Sequence, residues 1–161
     1  MEPIAIFSTG GTIDKVYFDA QSEYEVGEPQ IANILRLMGA QVKFTVETLL
    51  RKDSLDLTDE DRTRIRLHAG QTPSTRVLIT HGTDGMVQTA TVLADIKGKT
   101  IVLVGSLSPA RFKDSDAEFN IGFALAAVQT QPPGVWIAMN GRVFAYDKVR
   151  KNRKMNRFEE V

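Results

Sequence analysis

Residues 76–85 read RVLITHGTDG. A short run rich in Val, Leu, Ile and Thr stops abruptly at a loop of small and polar residues. Length, β-branching and the bounding glycine make it a strand rather than a helix, and a continuous apolar run means burial on both faces. The pattern recurs along the chain. PIAIFS (3–8) runs into Thr9-Gly10-Gly11-Thr12, and TIVLVG (100–105) into Ser106-Leu107-Ser108. QVKFTVETL (41–49) alternates at Val42, Phe44 and Val46 and is followed by Lys52-Asp53-Ser54. GVWIAM (134–139) meets Asn140-Gly141, the strongest two-residue hairpin signal, with RVFAY (142–146) as its partner strand.

Helical patterns fill the gaps. Residues 29–38 carry Pro29 in the first turn and Ile31, Ile34, Leu35 and Met38 on one face. Thr58 to Asp61 reads as the acidic start of a polar helix through His68, with Gly70 just beyond. Residues 84–96 and 117–129 give two more, the first open to capping by Asp84 or Gly85. Strands alternating with helices predict an α/β domain: a flavodoxin-like, open, mainly parallel sheet with helices on both faces and a C-terminal β-hairpin. The expected order of its five parallel strands is 2-1-3-4-5.

Composition narrows the chemistry. The 161 residues suit a single domain spanning 1–161. There is no cysteine, which removes disulfides, thiolate metal sites and a cysteine nucleophile. His68 and His81 lack metal-ligand spacing, so no metal is expected. Net charge is zero, but residues 148–157 hold six basic groups and no acid, leaving the rest with 14 basic and 20 acidic groups, a net of −6. A charge run of this kind is ordinarily a solvated face, and no aromatic interleaves it before Phe158, so nucleic-acid binding is not expected. No apolar run approaches the roughly 20 residues of a membrane helix. The opening MEPIAIFSTGG does not have the form of a signal peptide, and a cytoplasmic location is expected.

In open α/β sheets ligands bind beyond the carboxyl ends of the strands. The loops at Ser8–Thr12, Lys52–Ser54, His81–Gly85 and Gly105–Ser108 all fall there, and each is rich in glycine, hydroxyls or carboxylates. Paired glycines at 10 and 11 let backbone N–H groups approach a ligand, with the Thr12 hydroxyl beside them. Thr83-Asp84 between Gly82 and Gly85 sets a second hydroxyl next to a carboxylate. A threonine hydroxyl needs a base to act as a nucleophile, and a desolvated lysine can supply one.

Together, Ser8-Thr9-Gly10-Gly11-Thr12-Ile13 and Thr80-His81-Gly82-Thr83-Asp84 resemble the two signature stretches of the bacterial type I/II L-asparaginases. Tyr24-Glu25-Val26-Gly27 is similar to the family's lid, Asp53-Ser54 to its substrate-carboxylate turn, Gly105-Ser106 and Asp116–Asn120 to its fourth-strand loop and following helix, and Val149–Asn152 to the segment carrying its lysine. The resemblance implies an amidohydrolase that converts L-asparagine to L-aspartate and ammonia without a cofactor. It implies Thr12 as nucleophile, Tyr24 as its activator, and Thr83, Asp84 and Lys151 as a second proton-handling cluster. Asp84 would also bind the substrate's α-amino group, Asp53, Ser54 and Leu55 would form the α-carboxylate turn, Gly11 and Gly82 would give backbone donors, and Ser106 would line the pocket. A homo-oligomer, dimer or tetramer, is the implied assembly.

Three departures stand out. The family's second, C-terminal domain, which lends an acidic residue to a neighbouring site, has no counterpart here, so a short single-domain relative is expected. Leu55 stands where secreted members commonly carry glutamine, and Asn152 stands where a threonine usually follows the lysine. Two other readings compete. One is a phosphate- or flavin-binding module built on the first loop, which lacks ring-sandwiching aromatics in HGTDG and GSLSP. The other is a catalytically inactive scaffold, against which stand the retained hydroxyl, carboxylate and lysine positions.

Overall fold

The computed structural model describes residues 2–17 and 25–161. In chain order these form β1 (Ile4–Gly10), β2 (Lys15–Val16), β3 (Glu25–Val26), α1 (Ile31–Leu37), β4 (Phe44–Lys52), α2 (Asp59–Gln71), β5 (Arg76–Thr80), α3 (Met86–Val92), β6 (Thr100–Val104), α4 (Ala117–Thr130), β7 (Gly134–Met139), β8 (Arg142–Ala145), β9 (Val149–Asn152) and β10 (Arg157–Glu160). Six strands make one sheet in the order β4-β1-β5-β6-β7-β8. Its first five members are parallel, in the 2-1-3-4-5 order expected from the sequence, and β8 returns antiparallel on β7.

Alternation along the strands divides the core in two. Ala5, Phe7, Val77, Ile79, Ile101 and Leu103 face the layer that includes α2 and α3. Ile4, Ile6, Leu78, Val102 and Val104 face α1 and α4. Fully burying one such side chain contributes roughly 1.5–3 kcal/mol, so both faces hold the sheet. The ladder levels the carboxyl ends: Ser8 is opposite Thr80, Thr80 opposite Val104, and Gly10 opposite Lys52. The four rim loops therefore leave the sheet at one height.

Several boundaries differ from the sequence reading. The second strand runs over Phe44–Lys52, three residues later than 41–49, because its ladder begins where Ile4 offers a partner and lasts until Gly10. A bulge between Ser8 and Gly10 also breaks its alternation, so Leu49 and Leu50 are both buried. Helix α2 begins at the Thr58–Asp61 capping box but passes through Gly70 to Gln71. Helix α3 is shorter than 84–96 and is entered through Gly85 with no side-chain cap, since Asp84 is engaged elsewhere.

The basic run at 148–157 is more than a solvated face. It builds β9 and β10, an antiparallel hairpin that buries Val149 and Phe158 against the α2/α3 side of the core. Asn140 and Gly141, both at positive φ, turn β7 into β8 as their sequence predicts. Asn140 Oδ1 also accepts the Phe158 N–H at 2.7 Å, tying the second hairpin to the first. No helix among the described residues is long and apolar enough to cross a membrane.

Candidate active site

The rim loops touch where side chains are missing. Gly11 has φ +88°, and a Cβ there would run into the backbone nitrogen of Gly82. A Cβ on Gly82 would lie 2.6 Å from Ser54 Oγ. Loops one and three are thereby stacked backbone against backbone, and loop two meets loop three through the Ser54 side chain. Thr12 and Thr83 each follow one member of the Gly11–Gly82 contact.

Thr12 opens a 3-10 turn, Thr12–Asp14, and is half-buried. Its hydroxyl has no hydrogen-bond partner among the described residues. The Gly11 N–H, read from the sequence as a donor to ligand, is already donated to Lys52 O at 2.9 Å. The N–H groups of Gly82 and Thr83 have no partner among the described residues.

Lys151 reaches the same rim from β9. Its Nζ lies 2.8 Å from Thr83 Oγ1 and 2.7 Å from Asp84 Oδ1. Strand alternation explains the aim. Arg150 and Asn152 point to the opposite face, where both donate to Glu159, leaving Lys151 with Val149 on the inward face. Asn152 also accepts the Met155 N–H, closing the β9–β10 turn, which accounts for an amide at this position. Arg153, just past the strand, brings Nε to 3.2 Å from the same Asp84 oxygen.

The second loop is held from both ends. Asp53 Oδ1 accepts the Leu55 N–H, and Oδ2 meets Lys15 Nζ at 3.1 Å. Partial burial works upward on the Asp53 carboxyl, but the Lys15 ammonium and backbone N–H groups outweigh it and hold it below the usual carboxylate range. Ser54 is buried and its Oγ accepts the Gly85 N–H at 3.0 Å, leaving the hydroxyl proton for another acceptor. Leu55 points outward, with 65% of its surface exposed. Ser106 is buried with its hydroxyl donated to Ser108 O at 2.5 Å. Asp116 gathers the Leu107 and Ser108 N–H groups and fixes that loop.

Two buried titratable groups lie under the rim. His81 is fully buried between Gly82 O and Thr89 Oγ1, each 2.7 Å away, and Thr89 Oγ1 also accepts from Arg62. Desolvation, with the Arg62 charge adding to it, pushes His81 down to about 4. The imidazole is therefore neutral at pH 7 and engaged through both nitrogens. Asp14 is buried in the turn after Thr12, and desolvation raises its carboxyl to about 7 against the Gln30 N–H and Ser8 hydroxyl that favour its charge.

The structure thus brings Thr12, Ser54, Gly82, Thr83, Asp84 and Lys151 to one rim, with Gly11 and Asp53 holding the loops beneath it. Tyr24 lies outside the described residues. Sequence reasoning missed Asp14, Lys15 and Arg153. Nothing in the local pattern marks them, because their importance comes from what the fold lays against them.

The family model for the asparaginase N-terminal region matches residues 3–159. A probable periplasmic L-asparaginase of Haemophilus influenzae is 30% identical over 92% of this chain and 46% of its own length. A glutaminase-asparaginase of Acinetobacter glutaminasificans is 29% identical over 92% of this chain and 49% of its own. Among solved structures, a probable cytoplasmic L-asparaginase from Campylobacter jejuni superposes with a TM-score of 0.83 at 27% identity, covering 99% of this chain and 53% of that one. The chain spans about half the length of the curated relatives it matches.

Proposed function

For this chain, which belongs to the asparaginase family, we propose hydrolysis of the side-chain amide of L-asparagine to L-aspartate and ammonia through an ester on Thr12. The observation that carries the reading is Lys151 Nζ bonded to both Thr83 Oγ1 and Asp84 Oδ1, one residue from the Gly11–Gly82 contact that seats Thr12.

The Thr12 hydroxyl attacks the amide carbon, Tyr24 taking part in its activation. The carbonyl oxygen gains the negative charge, and the backbone N–H groups of Gly82 and Thr83 are the donors suited to receive it. The proton that Thr12 gives up passes to the amide nitrogen, which lets ammonia leave and gives an aspartyl ester on Thr12. As a water attacks that ester, its proton passes by way of the Thr83–Lys151 pair to the Thr12 oxygen, and aspartate departs with the Thr12 hydroxyl restored. Ser54 Oγ donates to the α-carboxylate. Ser106, with its hydroxyl turned to Ser108 O, supports the loop that closes the pocket. Asp84 keeps Lys151 in place and offers its second oxygen to the substrate's amino side.

Ammonia release from L-asparagine by the wild-type protein and by Thr12→Ala tests this reading. Loss of at least a thousandfold in the variant is expected, and equal rates would rule out the nucleophile. Self-association belongs to the same proposal, with a neighbouring rim completing the substrate pocket. Full activity at dilutions where sedimentation shows only monomer would count against that part.

A further inference from the structure

A cleft of about 440 Å³ opens beside Asp84, between the start of α2 and the start of α3. Ser54, Asp84 and Gly85 form its inner wall, and Arg62, Gln88 and Arg153 line the remainder. The steps above use Ser54 and Asp84 from this wall but neither arginine.

Arg62 is the unusual element. It is only 4% exposed, yet no carboxylate pairs with it among the described residues. Its Nε and Nη1 donate to Thr89 Oγ1 and Leu57 O, both neutral. Its Nη2 has no hydrogen bond among the described residues. That nitrogen lies 3.1 Å from where a Cβ on Gly85 would sit, so the missing side chain leaves it open to the cleft. A buried guanidinium without a counter-charge is costly, and an anion seated against it removes the cost.

Arg153 adds to this in two ways. It places a second guanidinium on the cleft, and it occupies the Asp84 oxygen that Lys151 also holds. The charged residues lining the cleft are Arg62 and Arg153 against Asp59 and Asp84, and of these Arg62 alone has no carboxylate partner or opposing charge at its free nitrogen among the described residues. Lys151 and Arg153 hold the same oxygen of Asp84, so its second oxygen remains for an N–H at the substrate's α-nitrogen, charged or acylated. An anion carried on a group beyond that nitrogen would meet Arg62 Nη2 and Arg153 in the cleft.

We infer that this cleft is a carboxylate subsite, and that the protein's substrates include asparagines acylated on the α-nitrogen by a group bearing a second carboxylate, which Arg62 Nη2 and Arg153 receive. The assignment rests on the amide-hydrolase reading of the rim and goes beyond it in naming the substrate class. The bond broken is still the side-chain amide; the acyl group only binds.

The test compares N-succinyl-L-asparagine with N-acetyl-L-asparagine, which differ by the distal carboxylate, and with L-asparagine. Ammonia release is followed with the wild type, Arg153→Gln, Arg62→Met and Arg62→Lys. The wild type should favour the succinyl over the acetyl compound at least tenfold in kcat/KM. Arg153→Gln and Arg62→Met should each reduce that ratio at least threefold, and Arg62→Lys should keep part of it. Dissociation constants of the two acyl compounds for Thr12→Ala, measured by calorimetry, read the same ratio without turnover. A wild type that binds with this preference but releases no ammonia would sink the hydrolase reading and leave the subsite standing. A succinyl-to-acetyl ratio near one, failure to bind either compound, or a ratio unchanged in Arg153→Gln overturns the subsite.

Discussion

Gly11 and Gly82 meet backbone to backbone, and their contact sets two hydroxyls, on Thr12 and Thr83, one residue away on either side. The glycines at these positions are steric necessities. Position 11 needs a positive φ and faces the Gly82 main chain, and position 82 faces the short, buried side chain of Ser54, which has no flexible end to move aside.

Gly11→Ala should therefore destabilise the fold by roughly 1–3 kcal/mol from backbone strain, with more from the clash. It should also lower ammonia release by more than the loss of folded protein explains. Urea unfolding midpoints together with activity per folded molecule check this. A stable, fully active Gly11→Ala protein would mean that the loops can separate without consequence.

Lys151 and Thr83 are joined by one hydrogen bond and should act as a unit. Thr83→Ala and Lys151→Met should each reduce turnover by at least about a hundredfold, and the double variant should fall little further. Steady-state ammonia assays of the three proteins complete the cycle. Multiplicative losses would separate the two roles.

Asp14 gives a pH signature. Its folded carboxyl titrates near 7, against 3.8 for the unaltered group. The folded form therefore holds a proton that the unfolded chain gives up earlier, and stability from this group is present at low pH and lost as pH rises from about 4 to 7. A raised value near 7 corresponds to roughly 4 kcal/mol at most. His81, lowered to about 4, acts oppositely: protonation of the unfolded chain below about 6.5 costs the folded state stability as pH falls. Asp14→Asn should leave only the second trend, and should be more stable than wild type at pH 7.5 and less favoured at pH 4.5. Urea midpoints across that range decide it. Parallel profiles for the two proteins would reject a raised Asp14.

Asn140 supports the site from a distance. It holds φ +54° in the hairpin turn and accepts the Phe158 N–H, and Phe158 lies directly across the ladder from Lys151. Asn140→Ala should lose about 1–2 kcal/mol from the left-handed backbone and about 1 kcal/mol from the hydrogen bond. Turnover should fall with KM nearly constant if the loss acts through Lys151. Thermal melts and a kcat against KM comparison distinguish this from a purely structural effect.

The sheet was legible because each central strand is a compact apolar run ended by small residues; RVLIT before His81 and TIVLV before Gly105 leave little room for another reading. The rim followed from the same ends. The β9–β10 hairpin was obscured because Val149 and Phe158, its two inward anchors, sit in a run dominated by charge. Lys151 was distinguished from its basic neighbours by family resemblance alone, and its inward direction depends on a strand that the charge pattern hid. Arg62 looked like one more polar residue of α2, since no local signal tells a buried guanidinium from an exposed one. Asp14 reads in sequence as an ordinary acid in a turn, and its perturbation arises only when α1 and the first strand close over it.

The most direct test of the central claim is peptide mapping by mass spectrometry after rapid acid quench of the wild-type protein turning over L-asparagine. The expected result is one aspartyl group esterified to the peptide that carries Thr12. An aspartyl ester on the peptide that carries Thr83, with Thr12 unmodified, would contradict it.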